Sequence, residues 1–185
     1  MTRLRGLTGN ATMLPRLLLP LLLASACAAQ VPAAAPVQAP GVAPTVSAWR
    51  EPAQLRDFPR GRLAIDRAGG RDEFDIWLAD TPERSQQGLM FVRELPPDRG
   101  MLFPLANERV MSMWMKNTYI PLDMLFIGRD GRIMSIAADT TPLSTAIIDS
   151  GAPVYGVLEL RGGESRRRGI RVGDRVRHPH FQPPR

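Results

Sequence analysis

The chain has 185 residues, 44% of them hydrophobic, and its 24 basic and 18 acidic side chains give a formal charge of +6. That length argues for one domain with appendages, and a single cysteine excludes an intramolecular disulfide, so a hydrophobic core must hold the fold. Without Arg3, Arg5 and Arg16, which precede Cys27 with no acid among them, 21 basic groups face 18 acidic ones, an excess too small to point to nucleic acid.

Residues 17 to 26 read LLLPLLLASA directly after Arg16. The apolar run is too short for a permanent helix across a bilayer core of about 30 Å. A basic start, a short apolar core and small residues before a cleavage point describe a secretory signal peptide over residues 1–26. Met13 is an alternative start, since MLPRLLLPLLLASAC is nearly a complete signal. Ala24-Ser25-Ala26-Cys27 is similar to a lipoprotein signal, with Cys27 as the lipidated first mature residue. Ordinary cleavage at the small residues Ala26 or Ala28 is the alternative. Residues 27–60 are dominated by proline and alanine at first and read as a disordered, extended tether that holds a domain clear of the membrane. The expected location is the periplasmic side of the envelope, anchored by lipid.

The folded part is expected over residues 61–177, with a disordered tail over 178–185. Leu63 and Ile65, then Phe74, Ile76 and Leu78, alternate on either side of Ala68-Gly69-Gly70, which predicts two strands and a tight turn, with Asp75 and Trp77 on the opposite face. Thr81-Pro82-Glu83 predicts a helix start. Met101 to Phe103 reads as a brief buried strand, and Val110 to Met115 as a separate alternating one. Leu122 to Ile127 and Ile133 to Ala137 form strands joined at Asp130-Gly131. Val154 to Leu160 is a late strand, Gly162 to Arg168 a turn or short helix, and Gly169 to Asp174 a compact turn before a closing strand. Short strands with one or two short helices predict a single, mainly β domain of the α+β class, folded as a partly closed barrel.

The polar residues Lys116, Asn117 and Thr118 interrupt two apolar strands, and Asp123 follows inside the second. Lys116 is the single lysine among 24 basic residues. A Lys116–Asp123 pair could hold a polar ligand or move a proton; otherwise Asn117 and Thr118 shape the turn and Asp123 satisfies loop amides. Arg84 and Arg93 are candidates for an anionic group, with Gly88 on the helical face of Arg84 admitting either close packing or a ligand. Tyr155 and Glu159 are expected on one face of the late strand, with Glu159 a buried acid and a further candidate ligand-binding residue. Met90, Met101, Met111, Met113, Met115 and Met124 have strand spacing, which favours core packing over a soft-metal site. No metal-ligand spacing, nucleotide loop or nucleophile elbow is present, so no cofactor is expected. His178 and His180 are expected in solvent. Arg166, Arg167 and Arg168 read as a solvated turn or a contact for anionic lipid.

Several of these segments together resemble a bacterial and archaeal family, domain of unknown function 192, over roughly residues 61–177. The resemblance is carried by Thr81-Pro82-Glu83-Arg84, Gly88-Leu89-Met90 and Arg93, and by Gly100 to Phe103. Its most specific parts are Trp114-Met115-Lys116-Asn117-Thr118 and Pro121-Leu122-Asp123, followed by Tyr155 to Leu160 and Gly169 to Asp174. Met113 departs from the aromatic residue usual before the Trp-Met pair. The resemblance implies an exported or membrane-associated protein with a small β-rich fold, and it supplies no reaction. The expected function is therefore a cell-envelope accessory or ligand-binding domain, with a polar site near Lys116, Asn117 and Asp123. Its partner is a polar small molecule, an envelope component or an envelope protein. The alternative is an enzyme of unusual type acting on an envelope glycan or lipid, with Lys116 or Asp123 in acid–base roles.

Overall fold

The computed structural model describes residues 49–181. The apolar leader, Cys27, and the expected tether as far as residue 48 lie outside the described residues. Strands β1 (Arg60–Arg67) and β2 (Gly70–Leu78) pair antiparallel around Ala68-Gly69, with Leu63 opposite Phe74. Because side chains alternate along a strand, Leu63, Ile65, Phe74 and Ile76 enter one core and Trp77 enters another. Helix α1 (Pro82–Gln87) begins as the sequence predicts: Thr81 Oγ1 accepts from the Arg84 amide at 3.3 Å, and Pro82 opens the first turn. It ends at Gly88, whose φ is +49° and whose absent Cβ would stand 3.3 Å from the Phe103 ring. Gly88 thus lies past the helix rather than on its face, and glycine serves both the backbone reversal and the close approach.

Strand β3 (Arg99–Met113) runs parallel to β2, a pairing that needs the crossover supplied by α1. It is one long strand where the sequence suggested two. The interruption is an irregularity within the strand: its pairing with β6 (Ile148–Arg161) jumps from Pro104–Gly156 to Arg109–Val154. Strands β4 (Leu122–Ile127) and β5 (Ile133–Ala137) form the hairpin expected at Asp130-Gly131, with Gly131 at φ +82°. Helix α2 (Glu164–Arg168) and strand β7 (Arg175–Arg177) complete the chain order.

The seven strands lie in the order β5-β4-β6-β3-β2-β1-β7. The two edges then approach each other. The Ile133 amide donates to the Asp174 carbonyl, the Gly173 amide to the Ile133 carbonyl, and the Val176 amide to the Gly131 carbonyl, at 2.8–2.9 Å. The sheet is therefore curled into a partly closed barrel, and the α+β, mainly β architecture is as expected. Inside the curl, Leu63, Ile65, Phe74, Leu102, Leu125, Ile127, Leu158 and Val176 form one core. On the outer face, Trp77, Met101, Phe103, Met124, Phe126 and Val157 pack under Leu55, Phe58, Leu89, Val92 and Leu95 from the connecting segments. Covering both faces explains why every residue of β4 is buried, so that its sequence shows no polar alternation.

The domain is longer than its strand pattern suggests at both ends. Leu55 and Phe58, within the expected tether, are buried at 0% and 5% exposure, and Glu51 accepts from Trp77 Nε1 at 2.7 Å. At the other end, the expected disordered tail begins as an ordered turn. Phe181 is 3% exposed inside the curl, and His180 stacks on Tyr155 at 4.4 Å. Both corrections have one cause: isolated aromatic and aliphatic residues outside a periodic segment show no sign in sequence of the cavity they fill.

Candidate functional site

A cleft of about 290 Å³ opens on the outer face, between the end of α1 and strands β3 and β6. Leu89, Met90, Phe103, Met111, Met113 and Trp114 supply its apolar walls; Ser85, Gln86, Gln87, Ser112 and Thr118 line it with polar groups, and Lys116 and Glu159 with charge-bearing ones. The tight turn at Gly88 lets the chain leave α1 directly over Phe103, which brings Leu89 and Met90 to the cleft. Strand alternation brings Met111 and Met113 to the same side.

Glu159 is the unusual member. It sits near the end of β6, opposite Met101 on β3 and Met124 on β4, and is 4% exposed. No hydrogen-bond donor reaches its Oε2 among the described residues. Burial without compensation pushes its carboxyl up to about 8, so it keeps its proton near neutral pH. A buried polar atom left unpaired costs about 1–3 kcal/mol, and such a group in a cleft is a candidate functional group.

The other expected site residues separate into those at the cleft and those elsewhere. Lys116 is exposed at the cleft, and no carboxylate pairs with it among the described residues. Thr118 is buried and lines the same cleft. Asn117, at φ +58°, shapes the bend; its carbonyl accepts from the Phe91 amide at 2.8 Å, and its side chain lines an adjoining depression shared with Lys116 and Trp114. Asp123 is fully buried and does not meet Lys116. Its Oδ1 accepts from the Asp139 and Gly163 amides at 2.7 and 2.9 Å, and its Oδ2 from the Ser165 amide at 2.8 Å and from the Ser165 hydroxyl. It ties two loops to β4, which leaves its oxygens occupied. Arg84 bonds to Asp80 at 2.7 Å and to the Asp57 carbonyl at 2.9 Å, fastening the segment before β1. Arg93 lies over the Tyr119 ring at 4.9 Å, outside the cleft.

Two further expectations need correction. Tyr155 and Glu159 do not share a face: Tyr155 packs in the curl with His180 and Phe181, whereas Glu159 opens to the outer cleft. Val154 and Val157, three residues apart, both enter the outer core, so the irregularity in the β3–β6 pairing breaks the alternation between them. The arginine run is also not simply solvated. Arg168 bonds to Glu164, to Asp72 and to the Pro97 carbonyl, while Arg167 bonds to Glu164. Of the expected methionine group, Met101, Met115 and Met124 are core residues, and Met90, Met111 and Met113 line the cleft.

The fold and site define a small, partly closed β-barrel domain with a lateral cleft that ends on a buried acid. Residues 64–178 match the model of the family domain of unknown function 192, described as uncharacterized ACR, and the chain belongs to that family. Two solved structures are similar. One is a protein from Sinorhizobium meliloti 1021, described as a proposed transcription regulator, with 44% identity and a TM-score of 0.65, covering 66% of this chain and 96% of that one. The other is a protein of unknown function from Novosphingobium aromaticivorans DSM 12444, with 34% identity and a TM-score of 0.64, covering 77% and 94%. No curated protein matches the chain. Segments that carry the family resemblance, Gly88-Leu89-Met90, Phe103, Trp114 to Thr118 and Glu159, contribute side chains or backbone to the same cleft.

Proposed function

We propose that this chain is a ligand-binding domain of the cell envelope and that its binding site is the cleft over Glu159. The observation that carries this reading is the Glu159 carboxyl, buried at the cleft with an oxygen that no donor of the described chain reaches. A concave, mainly apolar surface with a few convergent polar groups is the usual form of a small-molecule site. Relative to the sequence expectation, the polar site keeps Lys116, Thr118 and Glu159 and loses Asp123, whose oxygens the chain itself occupies.

Envelope placement rests on the amino-terminal sequence: a signal segment, Cys27 as the lipidated residue, and a Pro/Ala tether. Among the described residues no helix is long and apolar enough to cross a membrane. A Cys27→Ser variant is expected to leave the membrane fraction and lose incorporated fatty acid. Equal membrane retention of both proteins would remove the lipid anchor from the proposal.

The cleft is tested by methyl NMR of the methionines. Met90, Met111 and Met113 line it, while Met134, 48% exposed on β5, is a built-in control. A screen of organic cations, carboxylates, sugars and neutral amphiphiles is expected to yield a class that moves the three cleft methyls and leaves Met134 in place. If no class moves them, the binding reading fails. The enzyme reading draws on the same acid: a carboxyl that holds its proton near neutral pH can protonate a leaving group. Turnover of a bound ligand, lost in Glu159→Gln, would select it.

A further inference from the structure

Three carboxylates of the described chain are buried to below 5% exposure: Asp123, Glu159 and Glu164. The protein treats two of them alike. Asp123 receives three backbone amides and a hydroxyl, and Glu164 receives the guanidinium groups of Arg167 and Arg168. Burial raises the Glu164 carboxyl, and those two arginines outweigh it and hold the group below the usual range. Glu159 has no equivalent, although 23 arginines are available in the chain. Among the described residues nothing fills that role for Glu159, and the cleft is the open side it lines.

Resting on the cleft being a binding site, we propose that its ligand is an organic cation: a primary ammonium or guanidinium group carried on a short apolar chain. The N–H donors meet the Glu159 carboxylate, and the carbon chain lies against Leu89, Phe103 and the methionines. The walls suit this chemistry. Thioethers and aromatic rings are polarizable, and a ring face attracts a cation. Trp114, 47% exposed on the cleft wall, offers such a face to a ligand as it enters. The size is limited as well. A closed cavity of about 150 Å³ holds a benzene, so an open cleft of about 290 Å³ takes about ten non-hydrogen atoms.

The charges around Glu159 are few. Lys116 is the single other charged side chain on the cleft. Helix α1 and its end contribute Ser85, Gln86, Gln87, Gly88, Leu89 and Met90, β3 contributes Phe103, Met111, Ser112 and Met113, and β4 places Met124 beside Glu159. Lys116 is exposed, so its repulsion of a cation is screened by solvent, whereas the attraction of buried Glu159 is not.

Hexylamine, hexanoate and hexanol, titrated against the full protein and followed at the cleft methionine methyls, distinguish the chemistry. Hexylamine is expected to bind at least tenfold more tightly than the other two at pH 8, and Glu159→Gln is expected to lose that preference. Lys116→Ala is expected to keep or strengthen it. In wild type, the amine must displace the Glu159 proton, so its affinity is expected to rise nearly tenfold per pH unit from pH 6 to about pH 7.5. That profile needs no variant and stands even if Glu159→Gln folds poorly. Equal or tighter binding of hexanoate or hexanol, a flat pH profile, or unchanged amine binding by Glu159→Gln overturns the cation proposal and leaves the binding cleft intact. Silence from all three probes also overturns it, and the broader ligand screen then decides whether the cleft binds anything.

Discussion

Glu159→Gln removes a titrating group and keeps the shape of the side chain, so it isolates what burial of this acid does to the fold. In the folded chain the carboxyl is pushed up from 4.5 to about 8 by burial; the unfolded chain has no such environment. Between those values the unfolded chain has released a proton that the folded chain still binds. Stability therefore falls as pH rises, by about 1.4 kcal/mol per pH unit. It is fully present below pH 4.5 and fully lost above about pH 8. Over the window the loss is roughly 3–5 kcal/mol, a large part of the 5–15 kcal/mol that holds a typical domain. Glutamine cannot ionise, so the variant lacks this slope. Urea unfolding of both proteins at pH 5, 6, 7 and 8 reads the effect directly. The difference between variant and wild type should move in favour of the variant by about 3 kcal/mol from pH 5 to pH 8. A constant difference across the series would show that Glu159 is not held as a buried neutral acid, and the argument for the cleft would lose its foundation.

Asp123→Ala should be destabilising, because it leaves three amides and a hydroxyl without their acceptor; a loss of about 3–5 kcal/mol by urea unfolding is expected. The same variant, if folded at low temperature, should bind cleft ligands like wild type, since Asp123 does not line the cleft. Phe181→Ala should cost about 3–5 kcal/mol, as Phe181 fills the curl beside Gly156; a loss below about 1 kcal/mol would return residues 178–181 to the tail the sequence suggested.

What the sequence determines here is local. Alternation of Leu63, Ile65, Phe74 and Ile76 specifies the first hairpin, Thr81-Pro82-Glu83 specifies the start of α1, and Asp130-Gly131 specifies the β4–β5 turn, because each depends on neighbours within a few residues. The number and brevity of such elements were enough to indicate a mainly β barrel-like domain. Lys116 and Thr118 were legible as polar interruptions between apolar strands. The site's decisive residue was legible as a candidate because it is an acid within an apolar run, Val157-Leu158-Glu159-Leu160, but its lack of a partner was not. Tertiary structure decided the rest. The break in alternation between Val154 and Val157 turns Glu159 toward the outer cleft and Tyr155 into the curl. Pairing of β6 with both β3 and β4 buries Glu159 from two sides, while the loop at Asp139 and the start of α2 at Gly163 and Ser165 close over Asp123 and satisfy it. Both acids sit in apolar strands in the sequence. Which one is saturated and which is left facing a cleft depends on segments 16 to 42 residues away from Asp123 in the chain, and sequence periodicity carries no information over that distance.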